Sequence, residues 1–591
     1  MSDQIALSIV GSGGDGAVAA GDIVAMACAR EGLHVVKTEA YGPQIRGGES
    51  SCAVRISATP IHAQADAIDA AVIFSWSDFA RFASEIVLAK DAIVLYEQGD
   101  APPDGLAQRL IPIPFAKLAR DAGAGSGKNI VGLGVLSALL GLPADAIRAA
   151  VRKRFVKKGE KVVDANLKAF DVGVSVAAVF EPSFFKILDY TPGSPRLLMS
   201  GNEACAVAAI DAGCRFFAGY PITPSSEVLH LLSEWLPRVG GSCLQTEDEL
   251  AAIGAVVGGS FAGVKSMTAT SGPGLSLMTE MIGLASIAEV PAVIMNVQRG
   301  GPSTGIPTKS EQSDLFQAAY SGHGDEPRVV IACGDVGDTY HATVDAFNIA
   351  EEYQVPVIIL SDQLIAQRRE TIEKETLQHE VRDRRLASPA DLENYRRYRD
   401  TDDGVSPMTI PGMPGGTYQT NGLEHDERGR PSSMFVVHDR MNAKRYRKLS
   451  AIGEKYRLFR RYGAVDPDLG ILCWGSSEGA VREAIGRVDT EHGIRVAAFV
   501  PQMIVPLPAV EMQEFIDACK EILVIELSHA AQFHQFLRAQ VDLPRGRTHV
   551  YARSGGKLLG VNEVVREIER VLAPAECVDR KVADLVEEVL V

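Results

Sequence analysis

Short apolar runs recur along the chain, and most are followed by a stretch whose apolar positions have helical spacing. Strands of parallel α/β sheets are buried on both faces and so read as unbroken apolar runs between amphipathic helices. The pattern comes in three blocks. The first, 1–190, opens with the strand QIALSIVG, a glycine turn and a helix reaching Ala29, then continues through HVVKTEAYG, SSCAVRIS, AAVIFSW and AIVLYEQG. EPSFFKILDYTPGSPR, at 181–196, lacks periodicity and reads as a linker. The second block, 197–375, runs from the helix NEACAVAAIDAG through the strands CRFFAGYP, KSMTATS, PAVIMNVQR, RVVIACGD and VPVIILSD. Residues 376–460 break the pattern, because the Gly and Pro of 401–431 cannot sit inside a helix and imply a long ordered or crossing loop. The third block, 461–591, carries LGILCWGSS, IRVAAFV, EILVIELS and RTHVYAR and ends in acidic amphipathic material. The expected fold is therefore α/β, in three domains with mostly parallel sheets.

Length and charge narrow the picture. With 591 residues the chain exceeds the roughly 250 to 300 residues at which a single core stops growing. The net charge of −16 works against binding a phosphate backbone, so nucleic acid is not an expected partner. The N-terminus has an acid before its apolar run and no basic segment, so it reads as a buried strand. No charge-free apolar run is long enough for a membrane span, and a cytoplasmic protein is expected. The nine cysteines are scattered without any CxxC, which argues against a cluster or zinc site carried by this chain alone.

Several motifs sit where chemistry is possible. Gly11-Ser12-Gly13-Gly14-Asp15-Gly16 lies between a strand and a helix, a place that favours an anion, or simply makes a tight turn. The acidic ribose partner of a dinucleotide site would fall near Lys37 and Glu39, an equivocal match. Arg46, in the loop YGPQIRGGES, could meet a carboxylate or phosphate, or be an exposed turn residue. Arg299 ends the strand PAVIMNVQR and enters a loop containing Thr308 and Lys309, so its guanidinium stands at the carboxyl end of a parallel strand.

The string Gly219-Tyr220-Pro221-Ile222-Thr223-Pro224-Ser225-Ser226 resembles the YPITPSS signature of 2-oxoacid:ferredoxin oxidoreductases. The glycine turn with YGPQIRGG is similar to the γ domain of that family, and LSDQL with TNGLEHDERG to its 2-oxoglutarate-type α subunits. The resemblance covers nearly the whole chain. It implies a Rossmann-like γ domain, a thiamine pyrimidine-binding domain and a transketolase C-terminal-like domain. Gly14-Asp15-Gly16 superficially matches the GDG of the family's magnesium-diphosphate motif, but the first asparagine of the chain is Asn129, too far on to complete it. In that family the diphosphate-binding domain and cluster cysteines sit on a smaller β subunit, so the resemblance implies a β partner holding Mg²⁺ and a [4Fe-4S] cluster, in at least an α₂β₂ heterotetramer.

By the same resemblance, Thr223, Arg299 and Thr308 are expected to bind the 2-oxoacid; a dicarboxylate needs a further cation, which Lys309 or Arg46 could supply. Thr223 before Pro224 would also suit a helix N-cap. Glu249 matches the glutamate that protonates the aminopyrimidine of thiamine diphosphate, and is favoured over Glu247 by its spacing to Gly254. Its structural alternative is a capping box, Thr246-x-x-Glu249, for a helix Asp248–Gly263. Pro221, Ile222, Gly272 and Gly274 would border the cofactor. Thr223, Glu249 and Arg299 form the expected catalytic set, with no metal ligand. The implied reaction is oxidative decarboxylation of 2-oxoglutarate with coenzyme A to succinyl-CoA, electrons leaving to ferredoxin, or the reverse carboxylation of a reductive tricarboxylic acid cycle. Pyruvate or another 2-oxoacid, or a non-enzymatic nucleotide- or CoA-binding subunit, are the alternatives.

Overall fold

The computed structural model describes residues 2–42, 48–180 and 186–573. The first seven strands are β1 (Gln4–Ser12), β2 (His34–Tyr41), β3 (Glu49–Ser57), β4 (Ile68–Ile73), β5 (Leu88–Glu97), β6 (Arg109–Ile113) and β7 (Leu197–Ser200). Then come β8 (Phe216–Gly219), β9 (Ser242–Gln245), β10 (Ser266–Thr270), β11 (Ala292–Gln298), β12 (Val329–Ala332), β13 (Pro356–Asp362) and β14 (Arg369–Ile372). The last six are β15 (Phe459–Gly463), β16 (Leu469–Leu472), β17 (Val496–Pro501), β18 (Met503–Val505), β19 (Glu521–Glu526) and β20 (Thr548–Ala552). The chain forms two compact units, one reaching Ser200 and including Gln367–Thr376, the other made of Gly201–Ala366 and the chain from Leu377 onward.

The first unit holds one sheet in the order β6-β5-β4-β1-β3-β2-β14-β7. Parallel pairing runs from β6 to β1, but β1 with β3, β3 with β2, β2 with β14 and β14 with β7 are all antiparallel. The segment between β2 and β3 is too short for the crossover that parallel strands need. Helices Lys128–Leu140 and Glu160–Ala177 cross at Gly134 and Gly173, where a Cβ on Gly134 would lie 3.0 Å from the Gly173 Cα. The glycine turn after β1 is tied internally: the Ser12 N–H donates to Asp15 Oδ2 at 2.9 Å, and Asp15 pairs with Lys128 at 2.8 Å. Asn129 Nδ2 donates to the Gly16 carbonyl, and Gly16 has φ +76°. Lys37 is buried between Asp22, at 2.6 Å, and Glu39, so neither Lys37 nor Glu39 is presented as a lone ribose partner. Within 186–196 the chain packs back on the unit, with the Asp189 N–H donating to the Ser2 carbonyl at 2.7 Å and the Gly193 N–H to that of Glu31 at 2.8 Å.

The second unit holds two sheets, β18-β12-β13-β11-β10-β8-β9 and β15-β17-β16-β19-β20. Parallel pairs dominate both, and only their edge strands β18 and β15 are antiparallel. β18 comes from the third block yet joins the sheet of the second, so these blocks share a core rather than standing apart. The segment 377–434 is largely irregular and closely held. Arg397, fully buried, donates to the Glu289 carbonyl at 2.5 Å, and Tyr398 stacks on His425 with ring centres 3.9 Å apart. The helix Phe435–Lys455 then sends Lys444 and Lys448 to the buried Glu289 carboxylate at 2.6 and 2.5 Å. Burial opposes charge on Glu289, but the two ammonium groups hold its carboxyl well below the usual range. Among the described residues no helix is long and apolar enough to cross a membrane.

Candidate active site

The carboxyl ends of β8, β10 and β11 each run into a loop of the second unit, and these three loops carry most of the residues singled out in the sequence. After β8, Pro221, Ile222 and Thr223 are partly exposed, and the backbone N–H and hydroxyl of Ser225 both donate to the Ile222 carbonyl at 2.9 Å. The next helix is Ser226–Trp235, so Thr223 is not an N-cap and Pro224 does not open a helix. The Thr223 hydroxyl has no hydrogen-bond partner among the described residues. Its carbonyl accepts from Arg299 Nη1 at 2.6 Å, which joins the first loop to the third.

The capping-box alternative for Glu249 is also overturned. The helix is Glu249–Phe261, and Asp248 caps it by accepting from the Ala251 N–H at 2.8 Å, while the Thr246 hydroxyl turns to the Asp248 carbonyl. Asp248 takes the capping duty, and Glu249 is free of it. Glu249 is 5% exposed, whereas Glu247 is exposed. The Glu249 carboxyl is pressed against Gly274: a Cβ there would lie 2.6 Å from Oε1. Gly272, two residues earlier in the same helix start, makes the equivalent room for another carboxyl, that of Asp314, which would lie 2.8 Å from its Cβ. Both glycines are therefore steric requirements.

Arg299 is buried, and burial draws its guanidinium down while Asp314 pulls it back up. Its Nε has no partner. The loop beyond it folds on itself, with the Gly300 N–H donating to the Lys309 carbonyl at 3.0 Å, so Thr308 and Lys309 are returned to the strand end that carries Arg299. Lys309 packs against Gly556 of the turn after β20. Arg46 lies outside the described residues.

Sequence reasoning missed the polar run that follows Lys309. Ser310, Glu311 and Gln312 are buried. Gln312 is gripped by the third sheet's elements: its N–H donates to the Leu527 carbonyl at 2.8 Å, its Oε1 accepts from the Leu527 N–H at 2.9 Å, and its Nε2 donates to the Trp474 carbonyl at 2.6 Å. Glu311 accepts from the Gly555 N–H at 3.0 Å. Asn296 and Gln298, two apart on the fully buried β11, both turn to Asp314. The available signal was amides within an otherwise apolar strand, where an unpaired polar group costs roughly 1 to 3 kcal/mol.

The residues present fit a bound heterocyclic cofactor. Ser271 Oγ, Asn296 Oδ1 and Arg299 Nε are buried without partners where β10 and β11 run out, near the Glu249 carboxyl that Gly274 leaves room for. Buried polar groups are normally satisfied, so these strand-end atoms are ones a bound group could pair with. Among the described residues no three His, Cys, Asp or Glu gather to hold a metal ion. The eight described cysteines are free, and burial pushes the thiols of Cys205 and Cys214 up to about 12.

Residues 6–176 match the family described as pyruvate ferredoxin/flavodoxin oxidoreductase, and residues 207–444 its thiamine-diphosphate-binding counterpart, pyruvate flavodoxin/ferredoxin oxidoreductase. The chain is 37% identical to 2-oxoglutarate synthase subunit KorA of Methanothermobacter marburgensis, over 63% of this chain and 97% of that protein. It is 32% identical to 2-oxoacid:ferredoxin oxidoreductase 2, subunit alpha, of Aeropyrum pernix, over 76% of this chain and 72% of the relative. A solved structure of 2-oxoglutarate:ferredoxin oxidoreductase from Magnetococcus marinus, with 2-oxoglutarate, coenzyme A and succinyl-CoA bound, superposes with a TM-score of 0.92 at 36% identity, covering 97% of this chain and 100% of the other. With its glycine-walled carboxyl and its YPITPSS loop tied to Arg299, the chain belongs to the 2-oxoacid:ferredoxin oxidoreductases, as a large subunit of these thiamine-diphosphate-dependent enzymes.

Proposed function

We propose that this chain is the fused γα large subunit of a 2-oxoglutarate:ferredoxin oxidoreductase, which joins 2-oxoglutarate and coenzyme A to give succinyl-CoA and carbon dioxide, or runs in the carboxylating direction. The observation that carries the reading is the full-length likeness to the Magnetococcus marinus structure, which holds these three ligands. Thiamine diphosphate, when bound, supplies the carbon nucleophile and the electron sink that decarboxylation of a 2-oxoacid needs. Pro221, Ile222, Gly272 and Gly274 would border it.

Glu249, enclosed against Gly274 and relieved of capping, holds the proton exchanged with the aminopyrimidine ring. The Thr223 hydroxyl is open to a substrate oxygen, and Arg299, held by the Thr223 carbonyl, keeps its Nε for the substrate carboxylate. Thr308 and Lys309 sit on the same returning loop and serve the second carboxylate of a dicarboxylic substrate, with Arg46 as a further candidate. A β subunit is assigned Mg²⁺, the diphosphate and a [4Fe-4S] cluster, supported by the incomplete GDG motif and the scattered cysteines. The assembly is then α₂β₂, cytoplasmic, with ferredoxin as electron acceptor and the γ portion contributing to coenzyme A binding.

The test is coexpression with the β subunit and a panel of 2-oxoacids, following coenzyme-A-dependent reduction of ferredoxin. A kcat/KM for 2-oxoglutarate above that for pyruvate is expected. A preference for pyruvate sinks the dicarboxylate assignment, and a complex without stoichiometric thiamine diphosphate sinks the catalytic one.

A further inference from the structure

The chain beyond the carboxyl ends of β16, β19 and β20 meets one short stretch of the second block, residues 309–313. Two of these contacts make an anchor: Gln312 is bonded to Trp474 after β16 and to Leu527 after β19. The third is of another kind. After β20 the chain turns through Ser554-Gly555-Gly556, with φ +98° at Gly555 and +72° at Gly556, a backbone that residues with a Cβ rarely adopt. The Gly555 N–H donates to Glu311 Oε1 at 3.0 Å. Gly556 is buried, and the stem of Lys309 lies against it. A Cβ on Gly556 would stand 2.3 Å from Lys309 Cβ, 2.9 Å from Cγ and 3.2 Å from Cδ.

The turn is braced on its own side. Arg553 Nη1 donates to the Lys557 carbonyl at 2.7 Å and Nη2 to that of Leu558 at 3.1 Å, and the same guanidinium pairs with Glu563 of the helix Val561–Leu572. Lys309 is braced on the other, since its carbonyl accepts from the Gly300 N–H at 3.0 Å and its N–H donates to the Ile306 carbonyl at 3.2 Å. Backbone and stem are thus fixed by different parts of the chain.

We propose that the Gly555-Gly556 turn is a specificity-determining element of the 2-oxoacid site, seating the Lys309 stem so that its ammonium meets the second carboxylate of a dicarboxylic substrate. The inference rests on the 2-oxoglutarate reading and assigns its substrate selection to a turn of the third block. A lysine must give up rotamer freedom to hold one carboxylate. A glycine wall lets three successive carbons of the stem lie on backbone, which orders them before the substrate arrives. A side chain at 556 would meet Lys309 at its Cβ rather than at its mobile end, so the whole residue would have to move. A monocarboxylic 2-oxoacid has no second carboxylate, and its turnover does not depend on the seat.

The experiment uses the αβ holoenzyme and compares kcat/KM for 2-oxoglutarate with kcat/KM for pyruvate. Gly556→Ala should lower the ratio of the two by roughly 10- to 100-fold, the scale of a lost hydrogen bond between charged groups. The loss should lie in KM for 2-oxoglutarate, with thiamine diphosphate content unchanged. Lys309→Met, which keeps an unbranched stem and removes the ammonium, should lower the ratio similarly, and adding Gly556→Ala to it should change the ratio little further. Should Gly556→Ala fail to assemble, Glu311→Ala, which releases the Gly555 N–H without crowding the turn, must shift the ratio in the same direction. A Gly556→Ala enzyme that loses both substrates alike, or keeps its ratio, overturns the proposal while the function stands. So does a Lys309→Met enzyme with an unchanged ratio. An unmodified holoenzyme that prefers pyruvate overturns the 2-oxoglutarate reading, and the proposal with it.

Discussion

Two buried charge clusters in the second unit each hold an arginine with an unpartnered nitrogen, and they differ in how their glutamates are paired. Around Glu289, two lysines hold the carboxylate and Arg397 Nη2 donates to the same residue's carbonyl, while Arg397 Nε and Nη1 find no partner. Around Arg299 the accounting stays open, with Nε, Ser271 Oγ and Asn296 Oδ1 unpaired and the Glu249 carboxyl without a hydrogen-bond partner among the described residues. Both sit in cores where an unpaired charge is costly. The first cluster fastens the crossing segment and the helix Phe435–Lys455 to the end of the helix Gly272–Ile287, which leads back to the site. In the second the Glu249 carboxyl has no such tie. The doubly paired Glu289 fastens structure here, and the unpaired Glu249 is the carboxyl proposed for chemistry.

Substitutions should separate the two clusters. The largest effect is expected from Glu289→Gln, which strands two buried lysines and should cost about 3 to 5 kcal/mol in denaturation of the holoenzyme. The enzyme that remains folded should keep its KM, and a stable Glu289→Gln enzyme would break the comparison from the structural side. Next is Glu249→Gln, which should slow turnover and hydrogen exchange at the thiamine thiazolium carbon by at least ~10²-fold. Its denaturation should be nearly unchanged, because Asp248 carries the cap; fast exchange in Glu249→Gln with collapse in Glu247→Gln would place the carboxyl wrongly.

Smaller effects sharpen the contrast. Arg299→Lys keeps the charge and loses the fork, so kcat/KM for 2-oxoglutarate should fall by ~1.5 to 3 kcal/mol equivalent with thiamine diphosphate content intact. Unaltered kinetics would reduce Arg299 to a strand-end residue. Asp248→Ala should cost only about 1 kcal/mol of stability, as for a lost N-cap, and far less activity than Glu249→Gln. If its activity loss equals that of Glu249→Gln, the two acids cannot be assigned separate duties.

The carboxyl-end loops were legible because their residues are local: a strand, then glycines or a proline, then a helix, all within one short window. YPITPSS, the Thr270–Gly274 turn and Arg299 could be read that way. Glu249 and Thr223 were each ambiguous between chemistry and capping, since Ser, Thr, Asp and Glu near a helix start serve both. Only the actual helix boundaries, at Glu249 and Ser226, separated the two readings.

The sequence by itself determined the α/β class, most of the buried strands and the loops that follow them, because periodicity and burial are properties of neighbouring residues. Tertiary structure alone decided the antiparallel half of the first sheet, the passage of β18 into the sheet of the preceding block, and the seat of Asp314. Those depend on pairings between residues far apart in the chain, such as Glu289 with Lys444 or Gln312 with Leu527, which no local pattern encodes. A carboxylate's role follows from which donors reach it, and the donors come from elsewhere in the fold.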